Sequence, residues 1–232
     1  MPRLQIEFAK EGLARFTSHL ELMKTWERAF RRAAVPVSYS EGFNPHPRMS
    51  FALPLAVGSE GARDYLEIIV KTEVDLGSLA EALSRALPEG LRVIAVTPLP
   101  DDSPSLMAQV VGANYLIRSF LSGPVSAEEL NNAIEAFLAL SEAVVTKEGK
   151  HGPKPQDVRP GVYCLQAELT GSKVELSMAL KAGSQGNVRP EDVVKALIRH
   201  VGLPLKGEGL QIIRLDLLAR GPQGFAALGE NQ

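Results

Sequence analysis

The chain has 232 residues, 45% apolar and 22% charged, with 25 Lys+Arg against 27 Asp+Glu and one cysteine. That composition belongs to an ordinary globular chain of one large or two small domains. One cysteine excludes a disulfide framework and any multi-cysteine zinc or iron–sulfur site, and no apolar run approaches the ~18 residues a membrane span needs.

Met1-Pro2-Arg3-Leu4 runs straight into a strand-like pattern, so no signal peptide is expected and the cytoplasm is the default location. The charge is unevenly spread. Residues 1–48 hold eight Lys/Arg against five Asp/Glu, and residues 49–146 hold five against thirteen. Residues 147–160 are basic again, four against two. Positive charge collected in two short segments points to an anionic partner.

In chain order, Leu4–Phe8 alternates as a strand. Ser18 and Glu21 have capping-box spacing and open a helix to about Ala34, with Leu22, Trp26, Ala29, Phe30 and Ala33 inward. Val35-Pro36-Val37 ends that helix, because the residue before proline avoids the helical region. A short extended piece, Val37–Ser40, enters the stiff loop Glu41-Gly42-Phe43-Asn44-Pro45-His46-Pro47-Arg48. Met49–Val57 and Arg63–Lys71 are expected as strands about the turn Gly58–Gly61, followed by a helix over Asp75–Leu87 and a strand over Leu91–Thr97.

The second half repeats the order. Asn114–Phe120 alternates as a strand, and Ser126 with Glu129 caps a helix that buries Leu130, Ile134, Phe137 and Leu138. An extended run over Ala143–Thr146 leads to a second Gly/Pro-rich basic loop, Gly149–Pro155. Val162–Leu169 and Val174–Leu180 form a hairpin, Pro190 opens a helix, and Leu210–Leu218 closes the half as a strand. The expected fold is α+β, two tandem ferredoxin-like βαββαβ units with antiparallel sheets. The boundaries are 1–100 and 113–220, with a linker over 101–112 and a loose tail over 221–232.

Four histidines are present. His19 and His200 fall in or at the end of helices, where surface or capping roles are commonest. His46 and His151 sit in the two basic loops. As a pair they could do acid–base work on a ribose hydroxyl; as single loop residues they would only form hydrogen bonds. Cys164 lies in an apolar strand and is expected in the core. No metal-ligand spacing, nucleophile elbow or Walker loop is present, so no metal, cofactor or catalytic residue is assigned.

The basic residues are Arg28, Arg31 and Arg32 on the first helix, Arg48 in the first loop, and Lys150, Lys154 and Arg159 about the second. Arg189 follows the Gly-rich stretch Gly183–Asn187. With Phe43 and Tyr39 interleaved, and Asn44, His46 and His151 beside them, these residues could grip phosphates and stack a base. A solvated helix face with soluble loops is the plainer account.

Arg15-Phe16-Thr17-Ser18-His19-Leu20-Glu21-Leu22-Met23, Glu27-Arg28-Ala29 and Ser40–Ser50, with Asp157-Val158-Arg159-Pro160 and Arg189-Pro190 further on, resemble the bacterial radical SAM-linked protein family. That family is a domain of unknown function encoded beside, or fused to, a radical S-adenosylmethionine protein. The resemblance implies a non-catalytic companion of such an enzyme, with the cluster cysteines in the partner, and RNA or another anion as ligand. A metal-independent RNA-processing enzyme using the loop histidines and a protein-docking adaptor are the alternatives.

Overall fold

The computed structural model describes residues 1–147, 152–222 and 224–230. It is a mixed α+β fold divided into two compact units, residues 1–111 with 214–232, and residues 112–213. Among the described residues no helix is long and apolar enough to cross a membrane.

The first unit runs β1 (Arg3–Lys10), α1 (His19–Arg32), β2 (Met49–Phe51), β3 (Glu60–Ile69), α2 (Leu76–Ala86), β4 (Leu91–Leu99) and the one-turn α3 (Leu106–Gln109). β1 lies between β4 and β3, antiparallel to both, and β2 pairs antiparallel with β3. Each element follows from its residues. Alternation along β1 sends Leu4, Ile6 and Phe8 to one face, where Leu66 and Ile68 of β3, and Val70 just beyond its end, join them. Leu22, Trp26, Ala29 and Phe30 of α1 and Leu79, Leu83 and Ala86 of α2 cover that face. Trp26 meets the Phe8 ring edge-on at 5.1 Å, the geometry favoured by aromatic quadrupoles. The Ser18–Glu21 capping box forms as expected.

The opposite face of the same strands is polar, yet largely buried. Arg3 pairs with Glu67 at 2.9 Å and also reaches the carbonyls of Pro100 and Ser103 at 3.0 and 2.7 Å. The other Glu67 oxygen accepts from the Leu106 amide at 3.0 Å. The segment expected to be a linker is therefore tied down, ending in α3 and the start of the next strand. Arg63 bridges Glu7 at 2.6 Å and Asp216 at 3.1 Å, while the Tyr65 hydroxyl donates to Asp216 at 2.7 Å. Burial pushes both the Tyr65 phenol and the Asp216 carboxyl above their ordinary values.

A third cluster closes the end of the core. The Arg214 guanidinium, 1% exposed, holds Asp64 at 2.7 Å and donates to the Leu53 carbonyl at 2.8 Å. Lys10, equally buried, donates to the Thr17 carbonyl at 3.0 Å. Burial lowers Lys10 and raises Asp64, against the mutual pull of the opposite charges. The expected strand Met49–Val57 stops at Phe51, because Arg214 takes the carbonyls of Leu53 and Pro54 and proline offers no amide.

The second unit contains β5 (Val110–Phe120), α4 (Ala127–Ala139), β6 (Val144–Lys147), β7 (Lys154–Asp157), β8 (Val162–Thr170), β9 (Lys173–Lys181) and α5 (Pro190–Val201). β9 pairs with β5 on one side and β8 on the other, antiparallel throughout, and β6 and β7 form a separate hairpin. The Ser126–Glu129 capping box is present. Cys164 is exposed, not in the core. A register shift between Val162 and Cys164 breaks the alternation and hands the inward position to Leu165.

Strand β10 (Gln211–Gly221) crosses back into the first unit at Arg214. The described closing residues, 224–230, are not the loose tail expected over 221–232, and residues 223, 231 and 232 lie outside the described residues. β11 (Gly224–Ala227) pairs antiparallel with β10, and Leu228 is fully buried. Four apolar residues after a glycine are too few to show a period, so this strand had no readable pattern.

Asp64→Ala leaves a guanidinium and an ammonium buried without their carboxylate, and should cost about 3–5 kcal/mol of unfolding free energy in urea. A second outcome concerns the cap. Hydrogen bonds to Ser126 hold the exposed Glu129 carboxyl below the usual carboxylate range. Wild type should therefore exceed Glu129→Gln in stability above that range, and the difference should vanish as pH falls through the folded value. Thermal unfolding across an acid pH series measures it.

Candidate functional site

The Gly/Pro loop of the first unit is a zipped structure. The Ser38 amide donates to the Ile69 carbonyl at 2.7 Å, and the Arg48 amide donates to the Ser38 carbonyl at 2.7 Å. The Ile69 amide in turn reaches the Arg48 carbonyl at 3.0 Å, so both limbs of the loop hang on β3. Tyr39 bridges Pro47, and Val37 bridges Val70. One step further out, the Ser40 amide donates to the His46 carbonyl at 2.8 Å while the His46 amide donates to Ser40 Oγ at 3.0 Å. The short extended piece expected over 37–40 exists as these isolated bridges.

Only the tip is left, Glu41 to Pro45. Gly42 has φ +113°, a left-handed value that lets the chain reverse there. Phe43 follows with its side chain fully exposed, and Asn44 is exposed beside it. An apolar ring held in water on a hydrogen-bonded loop has no folding role, since it buries nothing.

Below the tip lies a shallow hollow of about 260 Å³ whose walls include Ser40, His46, Arg48, Ser50 and Glu67. The Glu67 carboxylate is already held by Arg3 and the Leu106 amide. The Arg48 guanidinium, by contrast, forms no ion pair among the described residues. The hollow thus offers two hydroxyls, an imidazole and a guanidinium, a donor-rich set suited to an anion. Sequence inspection picked out Phe43, Asn44, His46 and Arg48, which the structure brings together on this loop. It missed Ser40 and Ser50. A serine just before Glu-Gly is a turn signal, and it marks the acceptor that pins the loop base.

The three arginines of α1 do not act alike. Arg31 pairs with Glu27 at 3.5 Å, and Arg32 donates to the Ala86 carbonyl at the end of α2 at 2.6 Å. Arg28 alone of the three has neither an ion pair nor a side-chain hydrogen bond among the described residues, and it stands exposed on the wall of a different cavity.

In the second unit, Lys154 is exposed and stands opposite Lys147 across the β6–β7 hairpin. Like charges facing each other across a ladder repel, so an anion at this hairpin relieves a built-in cost. Lys150 and His151 lie outside the described residues. Arg159 spends its guanidinium on backbone, reaching the Leu138 carbonyl at 2.6 Å and the Val162 carbonyl at 3.0 Å. It ties the end of α4 to the start of β8. Arg189 is exposed at the N-cap of α5 and makes no capping bond. His200 rests its ring against the Val144 carbonyl at 3.0 Å, and His19 packs edge-on to Phe51 at 5.4 Å. Among the described residues no three His, Cys, Asp or Glu gather as a metal site.

This α+β architecture has a solved counterpart. A chain in a crystal structure of a Cbf5-Nop10-Gar1 complex matches 92% of this chain at 13% identity and TM-score 0.50, which shows a similar fold. An archaeal box H/ACA sRNP Nop10-Cbf5 complex matches 91% at 14% identity, with TM-score 0.45. The chain spans about half of these two structures' chains, 48% and 46%. At the level of sequence, the chain belongs to the family described as "Uncharacterized protein conserved in bacteria (DUF2344)", whose profile matches residues 3–190. No curated protein matches it.

Two variants separate the loop's frame from its tip. Ser40→Ala removes the acceptor for the His46 amide and should cost about 0.5–1.5 kcal/mol. Phe43→Ala should stay within about 0.5 kcal/mol of wild type. Urea unfolding of both reports the contrast.

Proposed function

We propose that this chain binds single-stranded RNA through the 40–48 loop, as a non-catalytic companion of a radical S-adenosylmethionine enzyme. The observation that carries the ligand is Phe43, a wholly exposed ring on a hydrogen-bonded loop with Arg48 and His46 at its base. Stacking one base on such a ring contributes about 1–3 kcal/mol and tolerates any sequence. The guanidinium and hydroxyls of the hollow would take the adjoining phosphate. In the second unit Lys154 and Arg189 are exposed and without ion pairs among the described residues, each a separate candidate phosphate contact.

The companion role rests on the sequence resemblance and on cysteine arithmetic. A cluster-binding set needs several thiolates, and this chain has one cysteine. Strand order supports reading the first unit as ferredoxin-like, since β4-β1-β3-β2 is the arrangement that the βαββαβ order generates. The second unit, with β5-β9-β8 and two helices, is read the same way. Such sheets commonly present loops to ligands, which is an analogy at the level of fold alone.

Filter binding of a labelled oligouridylate tests the ligand. Affinity should fall with rising salt, about tenfold with Phe43→Ala, and further with Arg48→Ala. Binding that ignores salt and both substitutions would remove RNA from this site.

A further inference from the structure

A second surface on the first unit has different chemistry. The short 3-10 turn Gly12–Phe16 and the start of α1 flank a cavity of about 610 Å³, with Leu13, Phe16, Glu21, Lys24 and Arg28 on its wall. Leu13 is 86% exposed, Leu20 69% and Phe16 55%. Three large apolar side chains so near one another in sequence are held in water.

They are held there firmly. The Glu11 amide donates to the Gly90 carbonyl at 2.8 Å, and the Gly58 amide donates to the Arg15 carbonyl at 2.8 Å. Arg15 is paired with Glu60 at 3.0 Å. Gly90 sits so close that an added Cβ would come within 2.6 Å of the Glu11 carbonyl oxygen, at a φ of +84°. A turn fixed at three points displays Leu13 and Phe16 as preorganised anchors, so little ordering cost remains for a partner to meet.

Charge then selects the partner. Lys24 and Arg28 continue the Leu20 stripe at successive i+4 positions, and neither has an ion pair among the described residues. Glu21 on the same wall accepts from the Ser18 amide at 2.9 Å and also feels the Lys24 charge, which leaves the wall with two cations against one carboxylate. The groove is apolar at one end and cationic at the other. Nucleic acid fits it poorly. Leu13 offers no stacking face, and the Arg15 guanidinium already sits over the Phe16 ring at 4.8 Å.

We infer that the groove between the 12–16 turn and α1 docks an acidic amphipathic segment of a partner protein. Its apolar side chains would cover Leu13, Phe16 and Leu20, and its carboxylates would meet Lys24 and Arg28. The inference does not depend on RNA binding at the 40–48 loop.

Fluorescence anisotropy of the full chain tests it, with a labelled peptide of about 14 residues carrying leucine at helical spacing and glutamate elsewhere. The control replaces every glutamate by lysine. The glutamate peptide should bind about tenfold more tightly than the lysine peptide. Lys24→Glu with Arg28→Glu should reverse that preference, and Leu13→Ser should weaken both peptides. Phe43→Ala should leave peptide binding unchanged. Failure of the reversal, insensitivity to Leu13→Ser, or displacement of the peptide by oligouridylate would each overturn the assignment. All four residues substituted are at the surface, so each variant can be checked for native circular dichroism first.

Discussion

The first unit turns on one buried ion pair. Arg214 stands 150 residues after Asp64, and their contact joins the two separate segments that make up that unit. Neither charge is tolerable alone in a site this dry, so the unit is complete only once the chain has travelled out and returned. The same guanidinium claims the Leu53 carbonyl, which ends β2 early and sends the chain away from the sheet edge. Arg63, Glu7, Tyr65 and Asp216 extend the pattern across the other face. A sheet that faces helices on one side and a charged network on the other keeps its register by two independent means. A slip by one residue would bury the wrong charges as well as expose the wrong leucines.

Much of this was readable from local pattern. The capping boxes at Ser18 and Ser126 fixed two helix starts, and the Thr170–Lys173 turn fixed a hairpin, because each signal lies within a few residues of the feature it creates. What escaped was set by partners far away in sequence. Nothing adjacent to Lys10 or Arg214 in the sequence marks either for burial, since Asp64 lies 150 residues before Arg214. Cys164 read as core until the bulge after Val162 displaced it. The closing strand, a few apolar residues pairing with β10, has no period long enough to detect.

The candidate site divides the same way. Glycine and proline in the 41–47 stretch announced a stiff loop, and the exposed Phe43 and neighbouring Arg48 were legible as residue types. Which cations are spent on structure was not. Arg159 and Arg32 carry the same charge as Arg48, yet their donors are committed to the Leu138 and Ala86 carbonyls. A basic stretch in a sequence counts charges; only geometry separates those that hold the protein together from those left to hold something else.

The 38–48 loop has a consequence for how such a protein changes over time. Its frame is fastened by backbone groups and by Ser40 Oγ, none of which involves the side chains at 41 or 43–45. Substitution at the tip is thus nearly uncoupled from folding, with Gly42 the one position whose backbone restricts the choice. A lineage can exchange Phe43 or Asn44 for other residues and acquire a different ligand preference while the scaffold beneath stays the same. Variation confined to a few positions on an invariant frame is the pattern by which one fold comes to serve many recognition tasks.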